Sequence, residues 1–296
     1  MRDVILDASP EAVIGLGGGS LIDGLKGSIT LATLGGSCED YYGVGKVSER
    51  LEETGLKLIP FLAVQTASGS GAHLTKYANL TDLTTMQKKL FIDDAEAPPR
   101  ALFDYDATRT MPAEFTKVGA FDGICHLLEV YFGLPPDHPK SELVARIALV
   151  GLELIIAALP EALERPQSGP ARESIALGTD LGGYAIMIGA TNGPHLNSFS
   201  LVDVMDHGKA AALLTPYYTC FFAPAIPRRL LRAGRVYQRY GHIPPAVKLD
   251  ALSAFDLGLA VGRGMAALAR SVGFPTRLDD VCLLYTSPSP RDLSTS

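Results

Sequence analysis

The chain has 296 residues, of which 47% are hydrophobic and 20% charged, and its formal net charge is −6. This composition is typical of a soluble globular protein with one large or two medium domains. A mildly acidic chain without basic blocks gives no indication of nucleic-acid binding. No run approaches the roughly 18–20 consecutive apolar residues of a membrane span, so we expect no membrane partner.

The N-terminal segment is too short and too polar for a signal peptide. The four cysteines are scattered along the sequence and form no CxxC motif, which predicts free thiols in a reducing cytoplasm. They are Cys38, Cys125, Cys220 and Cys282.

The first predicted element is a buried parallel strand at residues 12–16, a short apolar run. Three glycines and Ser20 follow, and then apolar residues at helical spacing. A strand, a glycine turn and a helix start form an arrangement that cradles phosphates, because glycine lets the backbone approach and helix N–H groups face the anion. Ser20 occupies the place of the last glycine of the dinucleotide fingerprint, so this motif is a different one. The turn by itself is equally compatible with a plain strand-to-helix connection.

A second strand is predicted at residues 58–64, and it leads into a glycine- and hydroxyl-rich loop at residues 65–75. This loop suits close approach by a polar ligand, with a flexible surface loop as the alternative. Residues 100–104 predict a third strand, and residues 106–112 a boundary. The first domain is therefore predicted at residues 1–112.

From residue 113 the pattern is helical, which predicts an all-helical domain at residues 113–280. The predicted helices lie at residues 117–132, 142–163, 173–189, 193–213, 228–240 and 251–272. The second of these is apolar around much of its circumference, as in the central helix of a bundle. Residues 281–296 have no hydrophobic period and resemble translated sequencing-adapter sequence, so we expect a disordered, artefactual tail, with a natural disordered tail as the alternative.

One carboxylate and three imidazoles predict a metal site in the helical domain. Asp122 and His126 are four residues apart, so they lie on one face of a helix. Both could bind one ion, or they could form a hydrogen-bonded pair that stabilises the helix. His195 and His207 would point about 120° apart on one straight helix, so sharing an ion requires a helix end between them. We expect Gly208 to provide that end. Imidazoles with one carboxylate suit Zn²⁺ or Fe²⁺ and suit Mg²⁺ or Ca²⁺ poorly.

The other histidines are interpreted from their surroundings. His73 lies in the second glycine loop, where it could face a ligand. His138 and His242 lie in proline-flanked stretches and are predicted to be surface loop residues.

At this point the residues resemble the iron-containing, or group III, alcohol dehydrogenases over about residues 3–280. Several motifs occur in the family's order, which is more specific than any one of them. They are GGGS-x-x-D-x-x-K at residues 17–26, a loop similar to TTAGTGSE-x-T at 66–75, D-G-x-x-H-x-x-E at 122–129, paired histidines at 195 and 207, and a late G-F-P turn at 273–275.

The resemblance implies an α/β nucleotide-binding domain followed by an all-helical metal domain, the architecture of dehydroquinate synthase, with the active site between them. It implies a divalent metal, Fe²⁺ or Zn²⁺, held by Asp122, His126, His195 and His207. It also implies a path for NAD or NADP along Gly18, Gly19, Ser20, Asp23, Thr66, Ser70 and Lys89. The choice of Lys89 over Lys88 follows from its distance to Asp94 and to the turn at residues 98–99.

Several positions depart from the family pattern. Ala72 and His73 stand where the family usually has Ser-Glu, and Phe199 stands where members often have a further histidine. The family also has further βα units before the glycine turn, whereas only about eleven residues precede the first strand here. We therefore expect a fragment truncated at both ends, whose nucleotide domain is incomplete.

Three functional hypotheses follow from the resemblance. The first is hydride transfer between NAD(P) and a small alcohol, aldehyde or diol, by a protein that is a homo-oligomer at full length. The second keeps the fold and changes the reaction to a lyase or a hydroxyacid-oxoacid transhydrogenase; the lyase relative has glutamate where Asp122 stands. The third is an inactive fragment that binds metal and no dinucleotide tightly.

Overall fold

A computed structural model describes residues 1–85, 87–201 and 204–281 of the chain. The predicted tail at residues 281–296 lies outside the described residues apart from Val281. The described part of the chain consists of an α/β region followed by a helical region, which confirms the predicted fold class.

The α/β region contains two three-stranded sheets within the described residues. Its helices are α1 (Arg2–Ala8), α2 (Gly19–Leu34) and α3 (Lys46–Thr54), and its strands are β1 (Val13–Gly17), β2 (Gly43–Val44), β3 (Phe61–Gln65), β4 (Tyr77–Asp82), β5 (Gln87–Ile92) and β6 (Arg100–Phe103). The first sheet is parallel with strand order β1-β3-β6, so the three predicted strands form one sheet. The second sheet, β2-β5-β4, was not predicted; β4 and β5 pair antiparallel in it.

One face of the parallel sheet is covered by α2 through an apolar cluster that includes Ile22, Ile29 and Phe61. On the other face, Ile14 and Leu16 are 68% and 66% exposed. The packing of α2 on the sheet therefore holds in place the glycine turn that joins β1 to α2. The second face of the sheet is exposed at these two residues.

The helical region begins at Ala113, and no strand follows Phe103 in the part of the chain that the structure describes. Its helices are α4 (Ala113–Gly133), α5 (Ser141–Glu164), α6 (Gly169–Gly189), α7 (Gly193–Ser198), α8 (His207–Phe222), α9 (Pro227–Arg239) and α10 (Ala254–Ser271). They enclose one large core that includes Leu127, Leu152, Ile155 and Leu230.

By length and composition alone, α5 is long and apolar enough to cross a membrane. Half of its most apolar stretch is buried, and its main neighbours are α4 and α6. A core helix of a bundle passes the same test, and this packing matches the central position predicted from the sequence.

Candidate functional site

Two of the predicted metal ligands lie on α4, in the middle of the helical core. Asp122 and His126 are 7% and 5% exposed, and every residue from Gly119 to Phe132 is buried. The spacing of four residues brings the Asp122 Oδ1 and the His126 Nε2 to 3.9 Å. The two side chains therefore share one helix face, as predicted.

The other two predicted ligands converge on Asp122 from separate helices. The His195 Nε2 lies 3.4 Å from the Asp122 Oδ1, and the ligand atoms of Asp122, His195 and His207 all lie within 4.8 Å of one another. His126 lies beside this group of three, with its ring stacked on His195 at 4.5 Å between centroids. The structure thus brings together all four side chains, three of them in ligand-like proximity.

The expected helix end between His195 and His207 is present, but its position was predicted wrongly. The first helix, α7, ends at Ser198, and α8 begins at His207, so Gly208 lies in the first turn of the second helix. A Cβ atom at Gly208 would lie 2.9 Å from the Cβ of Asp122. Glycine at this position therefore allows α8 to approach α4, and this contact brings His207 to Asp122.

A cation fits this set of donors. The Asp122 Oδ1 and the His195 Nε2 are both buried and have no hydrogen-bond partner among the described residues. A buried polar atom without a partner carries a desolvation cost, which coordination of a cation would remove. Three imidazoles and one carboxylate are a donor set suited to Zn²⁺ or Fe²⁺.

Glu129 orients His195, a role that sequence reasoning missed. One of its carboxylate oxygens accepts a 2.5 Å hydrogen bond from the His195 Nδ1, and the other accepts from the Asn192 backbone N–H at 2.8 Å. Because Nδ1 faces Glu129, Nε2 is the ring nitrogen of His195 that faces Asp122. Glu129 was visible one helical turn after His126 in the sequence, but nothing there indicated which side chain it would hold.

Ser198 fixes the other histidine in a similar way. Its hydroxyl donates to the His195 carbonyl at 2.6 Å, which leaves its oxygen to accept from the His207 Nδ1 at 2.7 Å. This arrangement leaves the lone pair on the Nε2 of His207 free. Orientation of metal-binding imidazoles by a partner on the second nitrogen is a recurring feature of metal sites.

The surroundings shift the pKa values of His195 and His207 in opposite directions. Burial lowers the pKa of His207 to about 3, helped by the charge on His195. Burial also acts against a charged His195, but Glu129 and Asp122 outweigh it and raise the pKa of His195 to about 10. A cation would replace this proton, so its binding would release a proton and would be favoured by higher pH.

A cavity of about 620 Å³ extends from the glycine turn to Asp122 and His207, and we call it the large cavity. Among its lining residues are Gly18, Gly19, Ser20, Asp23, Ser70, Asp122 and His207. A Cβ atom at Gly19 would lie 2.4 Å from the Ser70 hydroxyl oxygen, so the two glycine-rich loops meet there. Gly19 and Ser20, at the start of α2, line this space, so the cavity adjoins a helix N-terminus of the kind that binds anions.

Two glycine pairs fix the second loop against the helical region. A Cβ atom at Gly119 of α4 would lie only 2.1 Å from the Ser68 carbonyl oxygen. Gly71, with φ +61°, approaches Gly183 of α6 so closely that a Cβ atom would lie 2.8 Å from the Gly183 Cα. The loop is therefore held by backbone-to-backbone contact with both helices.

The structure corrects the choice between the two neighbouring lysines. Lys89 points away from the large cavity and forms ion pairs with Asp82 at 2.8 Å and Glu39 at 2.9 Å. Lys88 lines the cavity instead, and burial lowers its pKa. Successive residues of β5 face opposite sides of its sheet, so only one of the two lysines can reach the cavity.

Two other predicted residues lie away from the cavity lining. Thr66 does not line the large cavity; its backbone N–H donates to the Gly17 carbonyl at 3.0 Å, which joins the ends of β1 and β3. His73 is 2% exposed, and its Nε2 lies 3.4 Å from the Asp180 Oδ1, so it faces α6 rather than a ligand. His138 and His242 lie in loops, as predicted.

Comparison with known proteins places the chain in a family. Residues 1–105 match the sequence model "Iron-containing alcohol dehydrogenase", and residues 116–283 match "Fe-containing alcohol dehydrogenase family, C-terminal". The chain is 26% identical to the NAD-dependent methanol dehydrogenase of Bacillus methanolicus, over 90% of this chain and 65% of the relative. It is 28% identical to long-chain-alcohol dehydrogenase 1 of Geobacillus thermodenitrificans, over 76% of this chain and 55% of the relative.

Solved structures show the same fold. An alcohol dehydrogenase from Oenococcus oeni superimposes with a TM-score of 0.82 at 23% identity, covering 98% of this chain and 70% of that one. A 1,3-propanediol oxidoreductase superimposes with a TM-score of 0.81 at 23% identity, covering 95% and 69%. The chain thus spans about two thirds of the length of several proteins that it matches.

Proposed function

The chain belongs to the iron-containing alcohol dehydrogenase family of oxidoreductases, and we propose that it transfers a hydride between NAD or NADP and a small alcohol or aldehyde. The observation that carries this proposal is the pair of buried, unpartnered atoms on Asp122 and His195. They lie beside a cavity whose other end is a glycine turn suited to phosphate. A metal and a nucleotide held at these two places would be neighbours.

We propose that Asp122, His126, His195 and His207 hold one divalent cation, Fe²⁺ or Zn²⁺. When bound, the cation supplies Lewis-acid polarisation of the substrate oxygen, which lowers the pKa of an alcohol. Glu129 and Ser198 keep the imidazoles of His195 and His207 in the tautomers that leave Nε2 free.

The nucleotide would occupy the large cavity. Backbone N–H groups at Gly19 and Ser20 would bind its phosphates, and the Lys88 ammonium adds positive charge to the lining of the cavity. The close approach of Gly69 to Gly119 ties the loop at residues 65–75 directly to α4. Together with the approach of Gly71 to Gly183, this contact would hold the loop in a fixed position beside the proposed metal site.

The proposal is tested by incubating the protein with Fe²⁺ or Zn²⁺ and either NAD⁺ or NADP⁺, and by following nucleotide reduction at 340 nm across a panel of alcohols. We expect reduction with at least one alcohol, and loss of that activity after removal of the metal by a chelator. Absence of reduction with every alcohol and both nucleotides would refute the proposal.

Two further outcomes separate the alternatives. A transhydrogenase would pass hydride between two bound substrates without net release of NADH. An inactive fragment would bind the metal but show no saturable fluorescence change on titration with NADH.

A further inference from the structure

His73 and Asp180 form a buried polar pair at the contact between the loop at residues 65–75 and α6. They are 2% and 8% exposed, and the His73 Nε2 lies 3.4 Å from the Asp180 Oδ1. Burial lowers the pKa of His73 to about 4, so the imidazole is neutral and carries one N–H. The Asp180 Oδ1 has no hydrogen-bond partner with better geometry among the described residues. A buried carboxylate oxygen needs a donor, and the N–H on the His73 Nε2 is placed to supply it.

Two aromatic side chains hold this pair from the α/β region. The Tyr105 hydroxyl, just after β6, donates to the Asp180 Oδ2 at 3.1 Å, so each oxygen of the carboxyl group faces a polar neighbour. The ring of Phe103 packs edge-on against His73 at 5.4 Å and against Tyr105 at 4.8 Å between centroids. The Asp180 carboxyl group is therefore enclosed by side chains from the loop and from the end of β6.

The same face of α6 contacts the loop a second time, through glycines. Gly183 lies one helical turn after Asp180, and Gly71, with φ +61°, approaches it so closely that a Cβ atom would lie 2.8 Å from its Cα. No hydrogen bond or other ion pair joins residues 65–75 to the helical region within the part of the chain that the structure describes. His73 is thus the polar part of this attachment.

A short chain of contacts leads from His73 to the large cavity. The backbone N–H of Ala72 donates to the Ser70 Oγ at 3.3 Å. Ser70 lines the large cavity and lies against the glycine turn, where a Cβ atom at Gly19 would be 2.4 Å from its hydroxyl oxygen. The position of Ser70 therefore depends on the backbone immediately before His73.

We propose that His73 is a positioning residue, which holds the loop at residues 65–75 through Asp180 and so keeps Ser70 beside the glycine turn. His73 itself lies outside the lining of the large cavity. Its effect on nucleotide binding rests on the proposed function. Ala72 and His73 stand where the family usually has Ser-Glu, so this pair is not part of the motif that the chain shares with its relatives.

The first test is amide hydrogen exchange in the full chain, followed by mass spectrometry. His73→Leu removes the donor and keeps an apolar side chain, whereas His73→Gln keeps an amide N–H that can reach Asp180. We expect backbone exchange in residues 65–75 to be about tenfold faster in His73→Leu, as for loss of one buried hydrogen bond. Exchange in α5 should stay unchanged, and His73→Gln should resemble the wild type. His138→Leu, at a loop histidine, is the matched control.

The second test is fluorescence titration of the same proteins with NADH. We expect the dissociation constant to rise about tenfold in His73→Leu and to recover to within about threefold of the wild type in His73→Gln. Asp180→Leu should weaken binding by a similar factor. The double variant should then be no weaker than either single variant, because both changes remove the same contact.

Unchanged loop exchange in His73→Leu would overturn the inference and leave the proposed function intact, as would unchanged NADH affinity, a failure of His73→Gln to recover, or additive losses in the double variant. Faster loop exchange in His73→Leu that His73→Gln restores, in a protein that binds no NADH, would support the attachment and contradict the proposed function. Faster exchange in α5 as well would indicate general destabilisation and overturn the positioning role. His73→Asn, whose amide is too short to reach Asp180, carries the same expectations and replaces His73→Leu if that variant does not fold.

Discussion

The Nδ1 of His195 donates a 2.5 Å hydrogen bond to the Oε1 of Glu129, and both side chains are almost fully buried. The second oxygen of Glu129 accepts from the Asn192 backbone N–H. One carboxylate thus holds both the ring of His195 and the loop that precedes it. It links α4, which carries Asp122 and His126, to the segment that carries the third proposed ligand.

Glu129→Gln tests this link. The amide can still accept from the His195 Nδ1 through its oxygen, but its NH₂ group then faces the Asn192 N–H, and that hydrogen bond is lost. We expect the affinity for Zn²⁺ to fall about 10- to 100-fold, as for other groups that orient metal-binding histidines. Competition with a chromophoric chelator measures the affinity. Glu142→Gln, at an exposed glutamate on α5, is the control, and equal Zn²⁺ affinities of the two variants would contradict the assigned role.

The neighbouring lysines of β5 provide a second test. Lys88→Ala removes a positive charge from the large cavity, so we expect the dissociation constant for NADH to rise about tenfold. Lys89→Ala removes the ion pairs with Asp82 and Glu39 and the contact with the Tyr42 ring, all outside the large cavity, and should leave NADH binding unchanged. Calorimetric titration of both variants measures the difference. A larger loss in Lys89→Ala would restore the assignment made from sequence.

Gly119→Ala tests the close contact between the loop at residues 65–75 and α4. The added Cβ would lie 2.1 Å from the Ser68 carbonyl oxygen, so the backbone of the loop or of α4 would have to shift. We expect a loss of about 1–3 kcal/mol in the free energy of unfolding, typical of overpacking, together with weaker NADH binding. Gly24→Ala is the control, because its Cβ would meet only the flexible end of Met1. Denaturant unfolding with equal midpoints for the two variants would argue against the contact.

Asp180 gives a prediction about pH. Burial raises its pKa to about 7, although a hydrogen bond from the Tyr105 hydroxyl works in the opposite direction. The folded state therefore binds this proton more tightly than the unfolded state, whose pKa is close to 3.8. The contribution of Asp180 to the free energy of unfolding is therefore largest below about pH 4. It decreases as the pH rises from about 4 to about 7 and does not change further above pH 7.

Asp180→Asn removes this titration. We expect the free energy of unfolding of the wild-type protein to fall relative to the variant by a few kcal/mol at most between about pH 4 and pH 7. Burial lowers the pKa of the adjacent His73 to about 4, so His73 contributes a pH dependence of the opposite sign, which cancels in the difference because both proteins contain His73. A difference between the two proteins that stays constant with pH would show that Asp180 titrates normally.

The sequence predicted structure correctly where the residue types and the hydrophobic periodicity indicate the same arrangement. Asp122 and His126 share a face because helical geometry fixes the positions of residues four apart, and the resemblance supplied His195 and His207 as their partners. The strand, glycine turn and helix around Gly18 were predicted from the change of hydrophobic period at that point.

Other features depend on contacts distant in the sequence. The β4–β5 pair is polar on much of its surface and has no strong apolar alternation, so the hairpin was missed. The choice between Lys88 and Lys89 depends on which side of that hairpin faces the large cavity. The glycine at 208 resembles a helix end in the sequence, but the approach of α8 to α4 is what requires it.

The central claim is that Asp122, His126, His195 and His207 hold one divalent cation, and metal stoichiometry tests it most directly. The wild-type protein and the variants Asp122→Asn, His195→Ala and His207→Ala are dialysed against Zn²⁺, desalted and analysed for bound metal, with His138→Ala as a control at a loop histidine. We predict about one equivalent in the wild type and the control and a substoichiometric amount in each of the three site variants. One full equivalent retained by all three site variants, or none bound by the wild type, would contradict the assignment.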